Sequence, residues 1–159
     1  MELNHVFNKI LAGVDDSENS YRALQVAAEM TLKFDAALLV FHAVNHNVQL
    51  ANFSLPMYRG PVVDSTLIKD WMEAAGKDVL NKSKKFVQKL EYASEIKVDY
   101  HLELDKSPED FAVDYATENG VDLIVLGCKG HHGRFRRVLL GTVPTRISNE
   151  APCQVLLVR

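Results

Sequence analysis

The chain has 159 residues, of which 47% are hydrophobic and 25% are charged, and its formal net charge is −3. This size and composition are typical of one soluble globular domain, and the negative charge argues against general nucleic-acid binding. Two cysteines, Cys128 and Cys153, are too few for a secreted disulfide framework, and no apolar run reaches the length of a membrane span. We therefore expect a cytoplasmic protein with one domain over residues 1–159.

Apolar runs and turn residues alternate along the chain and predict five strands and four helices. The predicted strands cover residues 7–14, 37–44, 96–104, 121–126 and 155–158, and the predicted helices cover residues 17–34, 65–92, 107–119 and 142–150. The second helix is expected to bury a stripe that includes Ile68, Trp71, Met72, Ala75 and Val79. The long segment 45–64, before that helix, is of a length usual for lids, binding segments or disordered connections.

Strict alternation of strands and helices predicts a parallel sheet with helices on both faces and right-handed crossovers. With the strand order 3-2-1-4-5, the point where the order reverses lies between the first and fourth strands, and ligands of such sheets bind there. The first strand ends at Asp15 and the fourth at Gly127, so these two exits are expected to be neighbours. The predicted fold class is a single-domain, five-stranded, Rossmann-like α/β fold.

The stretch 121–143 has the layout of an anion site. A buried strand is followed by a loop containing Gly127, Gly130 and Gly133, and Gly141 and Thr142 then open a helix. Glycines let backbone N–H groups approach a phosphate, and a helix N-terminus adds a partial positive charge. This stretch is therefore predicted to hold the phosphates of a nucleotide.

Residues 129–137 concentrate four Lys or Arg and two His residues on an otherwise acidic chain. This cation cluster has three interpretations: it clamps phosphates, it is a solvated loop, or it contacts nucleic acid. Its one aromatic residue, Phe135, is too few for a surface on which bases stack, so no nucleic-acid partner is expected. Cys128, His131 and His132 lack the second ligand pair that a zinc site needs, and no metal site is expected from them.

Several segments together carry a family resemblance. They are KILAGVDDSENS, LLVFHAV, ENGVDLIVLGCKG, LLGTV and APCQVLLVR. Along its whole length the chain resembles the universal stress protein family, which implies an adenine nucleotide alpha hydrolase-like fold. The family's nucleotide-binding branch carries Gly-x2-Gly-x9-Gly-Ser/Thr. Gly127, Gly130, Gly141 and Thr142 match this motif, with ten residues instead of nine between the second and third glycines.

The resemblance implies a set of nucleotide contacts: the first strand's exit near ribose and adenine, the second strand's end at adenine, and the glycine loop and following helix at the phosphates. The implied residues are Gly13, Val14, Asp15, Ala43, Leu126, Gly127, Gly130, Gly141, Thr142 and Val143. The family usually has Ser or Thr in place of Cys128, and Pro144 removes one backbone donor from the helix entrance. The implied cofactor is ATP or AMP, with Mg²⁺ as an accompanying ion.

The family is mainly a set of binding and regulatory proteins, so the resemblance implies an adenine-nucleotide-binding stress-response protein and a homodimer formed through the C-terminal strand. Two alternatives remain: a nucleotide-free member acting through protein contacts, and a slow ATPase or autophosphorylating protein. No Walker A motif or serine nucleophile elbow is present, so at most slow ATP hydrolysis is expected. The Asp15-Asp16 pair also suits a phosphoacceptor receiver domain, but no lysine ends the fifth strand to complete that site.

Overall fold

Five strands alternate with four α-helices in the computed structural model, which describes residues 6–45, 65–128 and 141–159. The strands are β1 (Lys9–Gly13), β2 (Ala37–Ala43), β3 (Lys97–Glu103), β4 (Leu123–Gly127) and β5 (Gln154–Val158). The helices are α1 (Glu18–Phe34), α2 (Ser65–Gln88), α3 (Pro108–Asn119) and α4 (Thr142–Glu150), with a short 3-10 helix at Ala93–Glu95. Of the helices in these ranges, none is long and apolar enough to cross a membrane.

The strands form one parallel sheet in the order β3-β2-β1-β4-β5, as predicted. In the register of the sheet, Ala12 of β1 lies beside Val40 of β2 on one side and Val125 of β4 on the other. The strand order therefore reverses between β1 and β4. Because the strands are parallel, the chain leaves both at their carboxyl ends, and these ends form the edge of the sheet at which the candidate site lies. The fold is Rossmann-like, and β3 lies at a sheet edge as its alternating pattern predicted.

Each face of the sheet carries its own hydrophobic core. Ile10 and Ala12 of β1 belong to a cluster that includes residues of α1 and α2. Leu11, between them, belongs to a second cluster with Phe111 of α3 and Ile147 of α4. Successive strand residues point to opposite faces, so β1 contributes to both cores and is buried from both sides.

Local capping sets the ends of α1 and α3. The Ser17 hydroxyl accepts a hydrogen bond from the N–H of Ser20 (3.2 Å), and the Ser107 hydroxyl accepts one from the N–H of Asp110 (3.1 Å). Each satisfies one of the donors left unpaired in a first helical turn. Gly120 ends α3 with a left-handed φ of 61°. These starts and this stop are where the sequence predicted them.

The second helix differs from its prediction in length and in its buried face. It ends at Gln88 instead of residue 92, because the N–H of Leu90 bonds to the carbonyl of Val87 (3.0 Å) and tightens the last turn. Trp71, predicted to be buried, is 67% exposed, whereas Met72 is 2% exposed. The reason lies at Gly76, where an added Cβ would lie 2.5 Å from Cδ1 of Leu102 in β3. The helix approaches the sheet through this glycine, so its buried stripe is centred there.

Candidate functional site

The exits of β1 and β4 and the entrance of α4 meet at one edge of the sheet. The N–H of Cys128, just after β4, donates to the carbonyl of Val158 (2.9 Å), and the N–H of Gly141 donates to the carbonyl of Cys128 (3.4 Å). These bonds hold the start of α4 against the end of β4, next to the strand from which Asp15 leaves. Gly130 and the cation cluster of residues 129–137 lie outside the described residues, as does most of the segment 45–64.

The backbone of Val14 is held by β2. Its N–H donates to the carbonyl of Phe41 (2.9 Å), and its carbonyl accepts a bond from Nδ1 of His42 (2.7 Å). The side chain of Val14 is 5% exposed. His42 therefore fixes the strand exit that carries Asp15. This contact joins residues 28 positions apart, so no local sequence pattern predicts it.

Asp15 presents an exposed carboxylate at this edge. Its Oδ1 accepts hydrogen bonds from the N–H (3.1 Å) and the hydroxyl (2.5 Å) of Ser17. The same Ser17 caps α1. One side chain thus starts the helix and orients the carboxylate, which remains accessible to solvent and to a ligand.

Asp16 points away from Asp15, toward α2. Its Oδ1 accepts a hydrogen bond from the hydroxyl of Tyr21 (2.7 Å), and its Oδ2 accepts one from Nζ of Lys82 (2.9 Å). We call Asp16, Tyr21 and Lys82 the Asp16 clamp. Burial, together with the bond to Asp16, raises the pKa of Tyr21 to about 12, so the phenol remains a donor at neutral pH.

The backbone of Asp16 is left-handed, with a φ of 63°. For an L-residue other than glycine this conformation costs about 1–2 kcal/mol, although aspartate is one of the residues that adopt it most readily. The sequence did not reveal this turn, because an aspartate pair after a strand is equally compatible with an ordinary helix cap. The clamp supplies the contacts that hold the turn in place.

Gly13 and Gly127 both lie in tight packing, Gly13 against side chains and Gly127 against backbone. A Cβ on Gly13 would lie 2.9 Å from Cδ2 of Leu126 and 3.1 Å from Cζ of Phe41. A Cβ on Gly127 would lie 2.8 Å from the backbone C and O atoms of Asn19 and 3.0 Å from the N of Ser20. The sequence assigned Gly127 to phosphate approach, but the structure shows a second reason for it, the contact of β4 with the first turn of α1.

Gly141 is different. A Cβ there would meet only the ring of Pro144, at 3.4 Å, which is an ordinary contact, and its φ of −59° suits any residue. Nothing among the described residues therefore requires glycine for packing at this position.

The entrance of α4 has no side-chain cap. The backbone carbonyl of Gly141 accepts bonds from the N–H (3.1 Å) and the hydroxyl (2.9 Å) of Thr145, while Thr142 is exposed and Val143 is half-buried. Serines cap α1 and α3, whereas Gly141, at the corresponding position of α4, has no side chain that could cap the helix. The arrangement suits an anion at Thr142 and Val143.

Ala43 and Leu126 line the core side of this edge. Their exposed fractions are only 9% and 4%. Ala43 lies beside Glu103 of β3 in the sheet register. Burial raises the pKa of the Glu103 carboxyl, but hydrogen bonds from the N–H groups of Asp105 and Lys106 and from His101 outweigh burial, and the net pKa is lowered.

The described side chains form no metal site by themselves. In residues 6–45, 65–128 and 141–159, no group of three or more His, Cys, Asp or Glu side chains could hold a metal ion. Asp15 is the exposed carboxylate that leaves β1 at the candidate site. Since Mg²⁺ is commonly bound through one or two carboxylates plus the phosphates of a substrate, this edge fits a Mg²⁺ ion only when a nucleotide brings it.

The parallel sheet and its reversal between β1 and β4 define a Rossmann-like α/β protein, and the candidate site lies at the switch point of its sheet. The chain matches the model of the Universal stress protein family over residues 7–159, and it belongs to that family. It is 31% identical over 157 residues to Universal stress protein MJ0531 of Methanocaldococcus jannaschii, an alignment covering 98% of this chain and 84% of that protein. The family resemblance predicted from the sequence is thereby confirmed.

Solved structures agree with this assignment. Universal stress protein UspA from Lactobacillus plantarum superposes with a TM-score of 0.71 at 25% identity, covering 96% of this chain and 98% of the other. The universal stress protein from Archaeoglobus fulgidus in complex with dAMP superposes with a TM-score of 0.64 at 23% identity, covering 97% and 99% of the two chains. The second match shows the shared fold.

Proposed function

We propose that this universal stress protein binds an adenine nucleotide, ATP or AMP, at the switch point between β1 and β4. It would act as a regulatory binding protein in a stress response, with no catalytic residues. The observation that carries the proposal is the meeting of the Asp15 carboxylate and the uncapped entrance of α4, which Gly141 and Cys128 hold at one edge of the sheet. The binding of dAMP by the Archaeoglobus fulgidus relative supports it.

The proposed contacts divide between the two ends of the nucleotide. Thr142 offers its N–H and hydroxyl and Val143 its N–H to the phosphates, and each such bond to a charged group contributes roughly 1.5–3 kcal/mol. Asp15 would accept bonds from ribose or adenine, and the backbone of Ala43 would face adenine. The floor of the nucleotide site would be formed by Gly13, Val14, Leu126 and Gly127. Gly130, in the glycine loop, would contact the phosphates. Mg²⁺ would arrive with the phosphates of ATP.

We also propose a homodimer through β5 and a cytoplasmic location. Strand β5 lies at an edge of the sheet, and its residues Val155, Leu156, Leu157 and Val158 are each only half-buried. Apolar edge strands are normally paired or covered, and a two-fold dimer would pair this one. The two cysteines of the chain are free thiols, which suits a reducing compartment.

Isothermal titration calorimetry with ATP, ADP and AMP tests the function. We expect the native protein to bind at micromolar or better affinity and Asp15→Asn to bind at least tenfold more weakly. Asp70→Asn is the matched control, because Asp70 is an exposed aspartate on α2, and its affinity should equal that of the native protein. Absence of binding by a folded native protein overturns the proposal and favours the alternative of a nucleotide-free member acting through protein contacts.

Thermal melting and turnover separate the remaining alternatives. At a nucleotide concentration one hundredfold above Kd, binding should stabilise the protein by about 2.7 kcal/mol. Slow ATP hydrolysis would be assigned to this site only if Thr142→Ala abolished it. Equal rates in the native protein and the variant would identify a contaminating ATPase.

A further inference from the structure

The Asp16 clamp adjoins the proposed ligand residue Asp15 in the chain. Asp15 and Asp16 are consecutive, yet Asp15 turns to Ser17 at the sheet edge, while Asp16 turns to Tyr21 of α1 and Lys82 of α2. The left-handed φ of Asp16 separates the two directions. The orientation of the Asp15 carboxylate therefore depends on a backbone turn that a different side chain holds.

The clamp ties this turn to two helices. The ring of Tyr21 packs on the ring of Phe86 in α2, with centroids 5.2 Å apart, so the phenol is fixed from the α2 side. Lys82 is itself oriented by a second carboxylate, Asp78, whose Oδ2 lies 2.9 Å from Nζ. Both Asp16 oxygens thus receive donors that are placed independently of any ligand.

We propose that Asp16, Tyr21 and Lys82 are positioning residues for nucleotide binding: they hold the left-handed turn that aims Asp15 at the ligand, without touching the ligand themselves. The inference rests on the proposed function, because it explains how Asp15 is oriented for that ligand. It also makes α2 part of the binding apparatus, through Lys82. A purely structural clamp would change the melting temperature, whereas a positioning clamp also changes the affinity of the folded protein.

The first test measures ATP and AMP affinity of Tyr21→Phe/Lys82→Met well below its melting temperature. We expect at least a fivefold loss, equivalent to about 1 kcal/mol. Tyr21→Phe keeps the ring packing on Phe86 and removes only the hydroxyl. Lys77→Met is the matched control, because Lys77 lies on the same helix and pairs with Glu73 (2.6 Å), so its affinity should be unchanged.

Substitutions at Asp16 test whether the effect passes through Asp15. Asp16→Asn retains an acceptor for Tyr21 and tolerates the left-handed turn, so it should restore most of the affinity that Asp16→Ala loses. Adding Asp16→Ala to Asp15→Asn should weaken binding no further, since the clamp then has no carboxylate to aim. Independent, additive losses would overturn the positioning role.

A second measurement needs no nucleotide. The N–H of Ser17 donates to Oδ1 of Asp15, so its amide hydrogen exchange reports on the turn. Exchange at Ser17 should be faster in Tyr21→Phe/Lys82→Met. The amide of Asp110, which donates to the hydroxyl of Ser107 in the cap of α3, should exchange at the native rate. Unchanged exchange at Ser17 overturns the clamp, whatever the native protein binds. Faster exchange in a protein that binds no nucleotide would refute the proposed function and the role in nucleotide binding, but not the hold of the clamp on the turn.

Discussion

Replacing Gly127 by alanine should destabilise the protein, although this glycine and Gly141 both belong to a motif associated with phosphate binding. The added Cβ would lie 2.8 Å from the backbone C and O of Asn19 and 3.0 Å from the N of Ser20. These are backbone atoms in the first turn of α1, so no side-chain rotation relieves the contact. Among the described glycines only Gly120 has a positive φ, so alanine at 127 suffers from crowding alone.

The magnitude follows from two opposing terms. Overpacking a close contact typically costs 1–3 kcal/mol. Alanine also restricts the unfolded chain, which returns about 0.4–1 kcal/mol. The net loss is about 1–2 kcal/mol, and at roughly 2–4 °C per kcal/mol for a chain of this size the melting temperature should fall by about 2–8 °C.

Gly141→Ala is the matched control. Its Cβ would make an ordinary 3.4 Å contact with Pro144, and its φ suits alanine, so we expect no loss of stability and a gain of up to about 1 kcal/mol from the unfolded chain. Urea unfolding of both variants, followed by circular dichroism without nucleotide, gives the two free energies. Equal stabilities for Gly127→Ala and Gly141→Ala would refute the assignment of Gly127 to helix–strand packing.

Three further predictions concern stability. Ser107→Ala should lower the free energy of unfolding by about 1 kcal/mol because the N–H of Asp110 loses its cap, and Ser107→Asp should restore most of it in urea unfolding. The fold lowers the pKa of Glu103 from its ordinary value of 4.5. The ionised carboxylate therefore contributes to the free energy of unfolding above about pH 4.5, and this contribution is lost as the pH falls through the folded pKa. The stability gap between the native protein and Glu103→Gln should therefore narrow between pH 6 and pH 3. Gly76→Ala should destabilise the native protein, because its Cβ would lie 2.5 Å from Leu102, but should stabilise Leu102→Ala, where only the helix propensity of alanine, about 1 kcal/mol, remains. A Gly76→Ala effect of the same sign in both backgrounds would contradict this contact.

The architecture was predictable from the sequence because local physics and long-range packing agree along most of the chain. The starts of α1 and α3 and the end of α3 lie within one residue of their predicted positions, since capping depends on residues within a few positions. Strict alternation predicted the parallel sheet, and the strand order stated for it, 3-2-1-4-5, is the order observed. The prediction for the buried face of α2 was wrong, because Gly76 and Leu102 meet across 26 positions of sequence and no periodic pattern encodes that contact.

The sequence predicted where the candidate site lies, but not the contacts that shape it. The sequence and the family resemblance indicated the exits of β1 and β4, and the structure brings these exits and the entrance of α4 together. The contacts that shape the exit were missed: His42 on the carbonyl of Val14, and Tyr21 and Lys82 on Asp16. Each joins residues whose proximity is created only by the folded sheet and its helices.

The packing of Gly127 against α1 changes what its presence in a related sequence means. Any chain that folds with β4 this close to the first turn of α1 needs a residue without a side chain at that position, whether or not it ever meets a nucleotide. Gly141 carries no such obligation from the described structure. Among relatives, a glycine at the first motif position is therefore expected from the fold alone and is by itself no sign of ligand binding.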